Sequence, residues 1–230
     1  ENNKIKFKNA NGFIAAKSYS NSPRSVTIAT TRTNCSHCYT FSKPSSSPNW
    51  VNRMPYELYV NDLSRNEYQP YFQTYIDLVD ETNIREQLQE QAEKFKEVLS
   101  GVSEEVASCL HPPYSWTIKQ VVGHLIDGEK IFGVRAHRIA CAEGLPLPGF
   151  DQNIFVANTD YEPVALSALV QEFIYNRASN QLMLDRWTSG MWTQTGICDG
   201  KPISVRAVAC LLVGHVNHHL RIIEKRLETH

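Results

Sequence analysis

The chain has 230 residues, 42% of them hydrophobic and 20% charged, the composition of a globular protein with one sizeable domain, alone or with an appendage, and not of a disordered polyelectrolyte. Its 23 basic and 24 acidic residues give a formal charge of -1, so the balance offers no footprint for a phosphate backbone or an anionic surface, and neither nucleic acid nor membrane is an expected partner. The longest strongly apolar run, around Ala207 to Val213, falls far short of the roughly 18 to 20 residues that span a bilayer.

Residues 1 to 50 hold 7 Asn, 9 Ser and 5 Thr, with seven Lys or Arg against the single acid Glu1. That segment carries a net +6 and leaves -7 for the remaining 180 residues. The composition breaks near Asn49 to Met54, which divides the chain into a polar, basic extension over 1–53, expected to be disordered or peripheral, and a globular body over 54–230. Within the extension, Ser25 to Ala29 can form an isolated strand, and Gly12 to Ala16 is too short for the apolar core of a secretory signal. The six cysteines are thinly spread and read as mostly reduced thiols, so the expected compartment is cytoplasmic. Cys35-Ser36-His37-Cys38 has the spacing of half a zinc site or of a redox pair. No second CxxC and no βαβ pattern accompanies it, which leaves both roles without support.

From Asn83 onward, apolar residues recur at three and four, the pattern of amphipathic helices. Asp80-Glu81-Thr82 supplies capping side chains for a helix running to about Leu99, with Ile84, Leu88, Ala92, Phe95 and Leu99 on its buried stripe and Gly101 at its end. After Pro112-Pro113, Ser115 can cap a second helix from Trp116 to about Cys141, offering Val121, Leu125, Ile131, Phe132, Val134 and Ile139 to the core. Residues 143 to 163 then form a long connection rich in Pro, Gly and Asp, of the kind that crosses over a bundle or walls a site. A third helix is predicted over about Pro163 to Trp187. Gly190 to Pro202 is turn-rich, with a short hairpin around Asp199-Gly200, and a fourth helix runs from a Ser204 cap to about Leu227, carrying Val208, Leu211, Leu212, Ile222 and Ile223. The predicted architecture is an all-α four-helix bundle.

The residues with chemical content lie in the middle of the fourth helix, in Gly214-His215-Val216-Asn217-His218-His219. His215 and His219 stand at i and i+4, so both imidazoles can reach one cation, although packed or surface histidines share that spacing. His124 falls inside the apolar stripe of the second helix, where an uncompensated polar ring is unfavourable. A bundle with a cavity can converge it on the His215 and His219 face. Three neutral imidazoles would bind a divalent transition metal and leave positions for water or substrate. Such a metal acts as a Lewis acid, lowering the pKa of a water towards ~7 or stabilising a thiolate. Asp127, one turn beyond His124, can orient a ligand or a water from outside the ligand set, with a solvated surface acid as the alternative. His218 is placed beside the ligands or at the surface, while His37, His111, His137 and His230 have no comparable spacing. Val216 stands where the HExxH helix of a metalloprotease needs its glutamate, so peptidase chemistry of that type is not expected.

Trp116-Thr-Ile-Lys-Gln-Val-Val-Gly-His124-Leu-Ile-Asp127, Gly128-Glu-Lys-Ile-Phe132 followed by Arg135, Pro146-Leu-Pro-Gly-Phe-Asp151 and Gly214-His-Val-Asn-His-His219 together resemble the DinB/YfiT-like superfamily of four-helix metalloproteins, over about Tyr68 to Leu227. The resemblance implies a bundle holding a metal, commonly nickel or zinc, at His124, His215 and His219. It also implies a homodimer and a class of thiol-dependent S-transferases and isomerases whose cosubstrate is a low-molecular-weight thiol such as bacillithiol, mycothiol or glutathione. The first reading is therefore a metal-dependent enzyme acting on a small molecule by thiol transfer or related hydrolase-like chemistry, and the alternative is a non-catalytic bundle that binds metal or a small ligand. Arg135 and Arg177 can hold an anionic substrate group, with ordinary ion pairing or surface placement as the alternative. Trp116, Trp187 and Trp192 read as packing residues.

Overall fold

Four long helices carry the body of the chain. The computed structural model describes residues 6–8, 14–16 and 56–228; the Ser25 to Ala29 run, the Cys35 and Cys38 pair, His37 and His230 lie outside them. The chain divides into two compact units, Glu1–Ser47 and Pro48–His230. In the first, β1 (Lys6–Lys8) and β2 (Ile14–Ala16) pair antiparallel with Lys6 opposite Ala16.

In the second unit the long helices are α2 (Ile84–Ser100), α4 (Ile118–Ala140), α6 (Leu166–Asp185) and α8 (Val205–Leu227). Short helical turns that apolar periodicity did not indicate lie between and before them: α1 (Gln73–Ile76), α3 (Glu104–Ser108), α5 (Gln152–Asn158) and α7 (Ser189–Trp192). The stripe Ile84, Leu88, Ala92, Phe95 and Leu99 is buried as expected. The cap of α2, however, is Asn83, whose side chain accepts from the Arg85 N–H. The Gln87 amide ties down the preceding turn by donating to the Asp80 and Thr82 main-chain carbonyls, at 2.9 and 2.8 Å. Likewise α4 is capped by Thr117 and not by Ser115: Thr117 Oγ1 accepts from the Gln120 N–H and the Gln120 side chain accepts from the Thr117 N–H, a reciprocal box that satisfies two otherwise orphaned donors. Val134 is 57% exposed, a departure from the predicted core. The third helix starts later than Pro163, and the Glu104 carboxylate accepts the Leu166 N–H at 2.8 Å in place of a local cap. Ser204 caps α8 as predicted, accepting from the Ala207 N–H.

The hairpin is present as β3 (Thr195–Cys198) and β4 (Lys201–Ser204), turning at Asp199 and Gly200 with φ of 50° and 69°, the left-handed pair that a two-residue hairpin loop requires. The long connection after α4 is pinned to this hairpin, since the Leu147 N–H donates to the Ile197 carbonyl and the Asp199 N–H donates to the Leu147 carbonyl.

Both α2 and α4 pack on α6 and on α8. The order around the bundle is therefore α2, α6, α4, α8, and the chain-consecutive pairs α2/α4 and α6/α8 lie across the diagonals. Where the four helices meet, Arg177 of α6 is fully buried and forms a two-pronged ion pair with Glu129 of α4, at 2.6 and 3.1 Å. It also donates to the Gln91 side chain of α2 at 2.7 Å and to the Leu212 carbonyl of α8 at 3.0 Å. Arg177 thus serves the core, and of the two readings left open for it the structure selects ion pairing. Trp187 and Trp192 pack edge to face with ring centroids 5.4 Å apart and belong to the core, as predicted.

Candidate metal centre

The contact between α4 and α8 decides the geometry of the site. It brings His124 of α4 against His215 and His219 of α8, with ring centroids 4.8 Å apart for His124 and His215, 4.9 Å for His124 and His219, and 4.8 Å for His215 and His219. One ring nitrogen from each lies within 4.8 Å of the others. The nearest two, His124 Nε2 and His215 Nε2, are 2.9 Å apart, so a single proton between them makes a hydrogen bond, and the same separation suits two nitrogens each about 2.0–2.1 Å from one ion.

Burial governs the protonation state of these rings. It holds His124 down at about 4, helped by the nearby His218, and holds His215 and His219 well below the ordinary imidazole value, with neighbouring histidines adding to the effect. All three are neutral at neutral pH and keep a lone pair for a cation. Three neutral nitrogens with no thiolate and no carboxylate among them suit a divalent ion such as zinc or nickel. The residues present therefore fit the expected metal.

The surrounding rings fix these imidazoles. Tyr75 of α1 stands edge-on to both His215 and His218, at 5.5 and 5.4 Å, Phe132 edge-on to His215 at 5.6 Å, and Trp116 lies 5.2 Å from His124. Tyr75 and Phe132 were not indicated as site residues by their spacing, and Trp116 read only as packing; the density of aromatic residues between Tyr68 and Tyr75 was the available signal. Glycines make the approach possible. A Cβ on Gly128 would sit 3.1 Å from the His215 ring, one on Gly123 would overlap the Tyr161 ring at 2.4 Å, and one on Gly214 would lie 2.1 Å from the Tyr75 carbonyl oxygen. The last is a backbone atom and cannot swing aside. Gly214→Ala is therefore expected to push α1 off α8 and lower stability by about 1–3 kcal/mol, read as a reduced urea midpoint, with the Tyr75 ring displaced from His215.

Asp127 takes a different partner from the one expected of it. Its Oδ2 accepts from the Tyr161 hydroxyl at 2.8 Å, and no hydrogen bond joins it to the three imidazoles among the described residues. Desolvation raises its pKa despite that bond. Asp127 thereby anchors the end of the long connection to α4. His218 is partly exposed, with its ring 4.9 Å from that of His219. His137 lies elsewhere, parallel to the Trp187 ring.

A cleft of about 400 Å³ opens directly onto His124 and His215. Its walls include Tyr71, Tyr75, Phe132, Arg135 and Phe150, so the long connection does wall the site, through Gly149 to Gln152.

Residues 87–223, which include all three histidines, match the family model described as the DinB superfamily. No curated protein matches the chain. Among solved structures, YfiT from Bacillus subtilis is similar, with a TM-score of 0.60 and 16% identity over 73% of this chain and 92% of that one. YfiT is described as a probable metal-dependent hydrolase with an unusual four-helix bundle topology. At this identity the likeness is one of fold.

Proposed function

The chain belongs to the DinB superfamily, and on that premise we propose that it is a metal-dependent enzyme in which His124, His215 and His219 hold a divalent transition metal, nickel or zinc, beside a small-molecule cleft. The observation that carries this reading is the convergence of three neutral, largely buried imidazoles, two of which, His124 and His215, line an open cleft. A closed structural site would surround its ion with protein ligands, whereas three ligands beside a cleft leave room for a reactant. When bound, the ion supplies Lewis acidity towards a thiol or a water. The chain's own contribution is arrangement: Tyr75, Phe132 and Trp116 hold the rings in register and exclude bulk solvent, and burial keeps the nitrogens unprotonated.

Transfer of a low-molecular-weight thiol to an electrophile is the reaction proposed first. No carboxylate is hydrogen-bonded to the imidazoles among the described residues, and a thiol needs less help from a general base than water does because its pKa is far lower. Hydrolysis, the activity named for YfiT, is the related alternative. The proposed compartment is cytoplasmic and the proposed assembly a homodimer. No helix of the described residues is long and apolar enough to cross a membrane.

Elemental analysis of the purified chain, followed by assays with glutathione, bacillithiol and mycothiol against an aryl halide and with ester substrates, tests the proposal. The expected result is about one metal per chain and thiol-dependent turnover that His124→Ala removes. Full metal occupancy with no turnover on either substrate set would favour a binding protein.

A further inference from the structure

The cleft beside the three imidazoles contains a cation that their arrangement does not use. Arg135 lies eleven residues beyond His124 on α4, about three helical turns along and on the same face, and only 9% of it is exposed. Its Nη2 donates to the Pro148 carbonyl at 2.9 Å, and among the described residues it makes no ion pair. The Phe132 and Phe150 rings flank it, 6.0 and 5.4 Å from Cζ to their centroids. The contrast with Arg177 is direct, since that buried guanidinium has Glu129 set against it on two prongs. A desolvated cation without a counter-charge is unfavourable, and an incoming anion relieves it.

Two carboxylates also line the cleft, and neither lies within ion-pair distance of Arg135. Asp151 Oδ1 accepts from the backbone N–H groups of Asn153 and Ile154. Asp199 folds against Gly149, where a Cβ would lie 2.7 Å from its Oδ1.

Building on the metal-site reading above, we propose that Arg135 receives the carboxylate of the substrate, and that the substrate is a small monoanion with a flat apolar body. Phe132 neighbours both groups, its ring standing 5.6 Å from that of His215 and 6.0 Å from Arg135 Cζ. The same ring thus borders both the guanidinium and an imidazole of the cluster, and a molecule anchored at Arg135 can lie along it towards the cluster. The aromatic walls suit a planar body. Among the described residues Arg135 is the only Lys or Arg lining the cleft, so a phosphate dianion gains one cation while meeting two carboxylates, and the single charge of a carboxylate fits better.

Titration calorimetry of the full chain with 3-phenylpropanoate and with its neutral counterpart 3-phenylpropanamide, in metal-free and in zinc-loaded protein, tests the assignment. The acid is expected to bind roughly ten- to a hundredfold more tightly than the amide in both forms, the range of a charge-assisted hydrogen bond. Arg135→Met is expected to erase that preference and Arg135→Lys to keep part of it, with metal content unchanged in both. Where Arg135→Met does not fold, the acid and amide comparison in the wild type and in Arg135→Lys decides. Equal binding of acid and amide, no detectable binding of the acid at millimolar concentration, or a preference that survives Arg135→Met overturns the proposal. So does a preference confined to zinc-loaded protein and insensitive to Arg135→Met, which would put the carboxylate on the cation. A chain that takes up no metal ends the reading of function, while the metal-free titration still decides the role of Arg135.

Discussion

His215→Ala is expected to leave the chain essentially free of metal after dialysis, where the wild type retains about one ion. His215 is closely enclosed: its ring stands edge-on to Tyr75 and Phe132, against the space left by Gly128, with its Nε2 2.9 Å from that of His124. Among the described residues no other His, Cys, Asp or Glu joins the three converging nitrogens, and Asp127 is hydrogen-bonded to Tyr161. Losing a supporting group around a metal ligand already lowers affinity by about 10–100-fold, and losing the ligand itself exceeds that. A second readout follows from linkage. A metal that binds only the folded chain stabilises it, by about 2.7 kcal/mol at a hundredfold excess over Kd, so a chelator is expected to lower the wild-type melting temperature and leave that of His215→Ala unmoved. His218→Ala serves as the comparison and is expected to keep its metal, since His218 lies beside the cluster and outside the three converging nitrogens. Retention of metal by His215→Ala, or its loss from His218→Ala, would sink the ligand assignment.

Arg177→Ala is expected to have the largest effect on stability, about 3–5 kcal/mol, a large share of the roughly 5–15 kcal/mol that holds a domain folded. The loss goes beyond the ion pair itself. Removing the guanidinium strands Glu129, which is 2% exposed, and deprives the Gln91 side chain and the Leu88 and Leu212 carbonyls of a donor. Among the described residues only Asn180, which donates to Glu129 Oε2 at 2.9 Å, remains to compensate the buried carboxylate. Removing both charges is a different matter. In Glu129→Leu/Arg177→Met no buried charge is left unpaired, so the double variant is expected to recover much of the loss, and urea denaturation of the two singles and the double gives the coupling directly. A single-variant cost below about 1 kcal/mol would mean that water reaches Glu129 and that the network is not the junction of the four helices.

Much of the helical frame was legible from spacing alone. The stripe from Ile84 to Leu99, the Ser204 cap and the Asp199-Gly200 turn each depend on residues close together in the chain, and local rules read them. The caps of α2 and α4 fall within three residues of those expected, at Asn83 and at Thr117, where Gln120 completes a reciprocal box with the capping side chain. The site was half legible. His215 and His219 share one helix, and their i, i+4 spacing places them on one face whatever the helix packs against.

The sequence by itself determined that there would be four long helices and, for the first, second and fourth, which residues were offered to the core, because hydrophobic periodicity records burial of a face. It did not determine which buried faces meet. That His124 reaches His215 across 91 positions of chain, that Arg177 turns into the core while Arg135 faces the cleft, and that Tyr75 closes over the histidines were decided by the tertiary structure. The diagonal placement of α2 against α4 and of α6 against α8, together with the glycines that let α1 and the long connection approach so closely, sets those distances. Contacts between helices are chosen by shape and volume across the whole core, which no local pattern encodes.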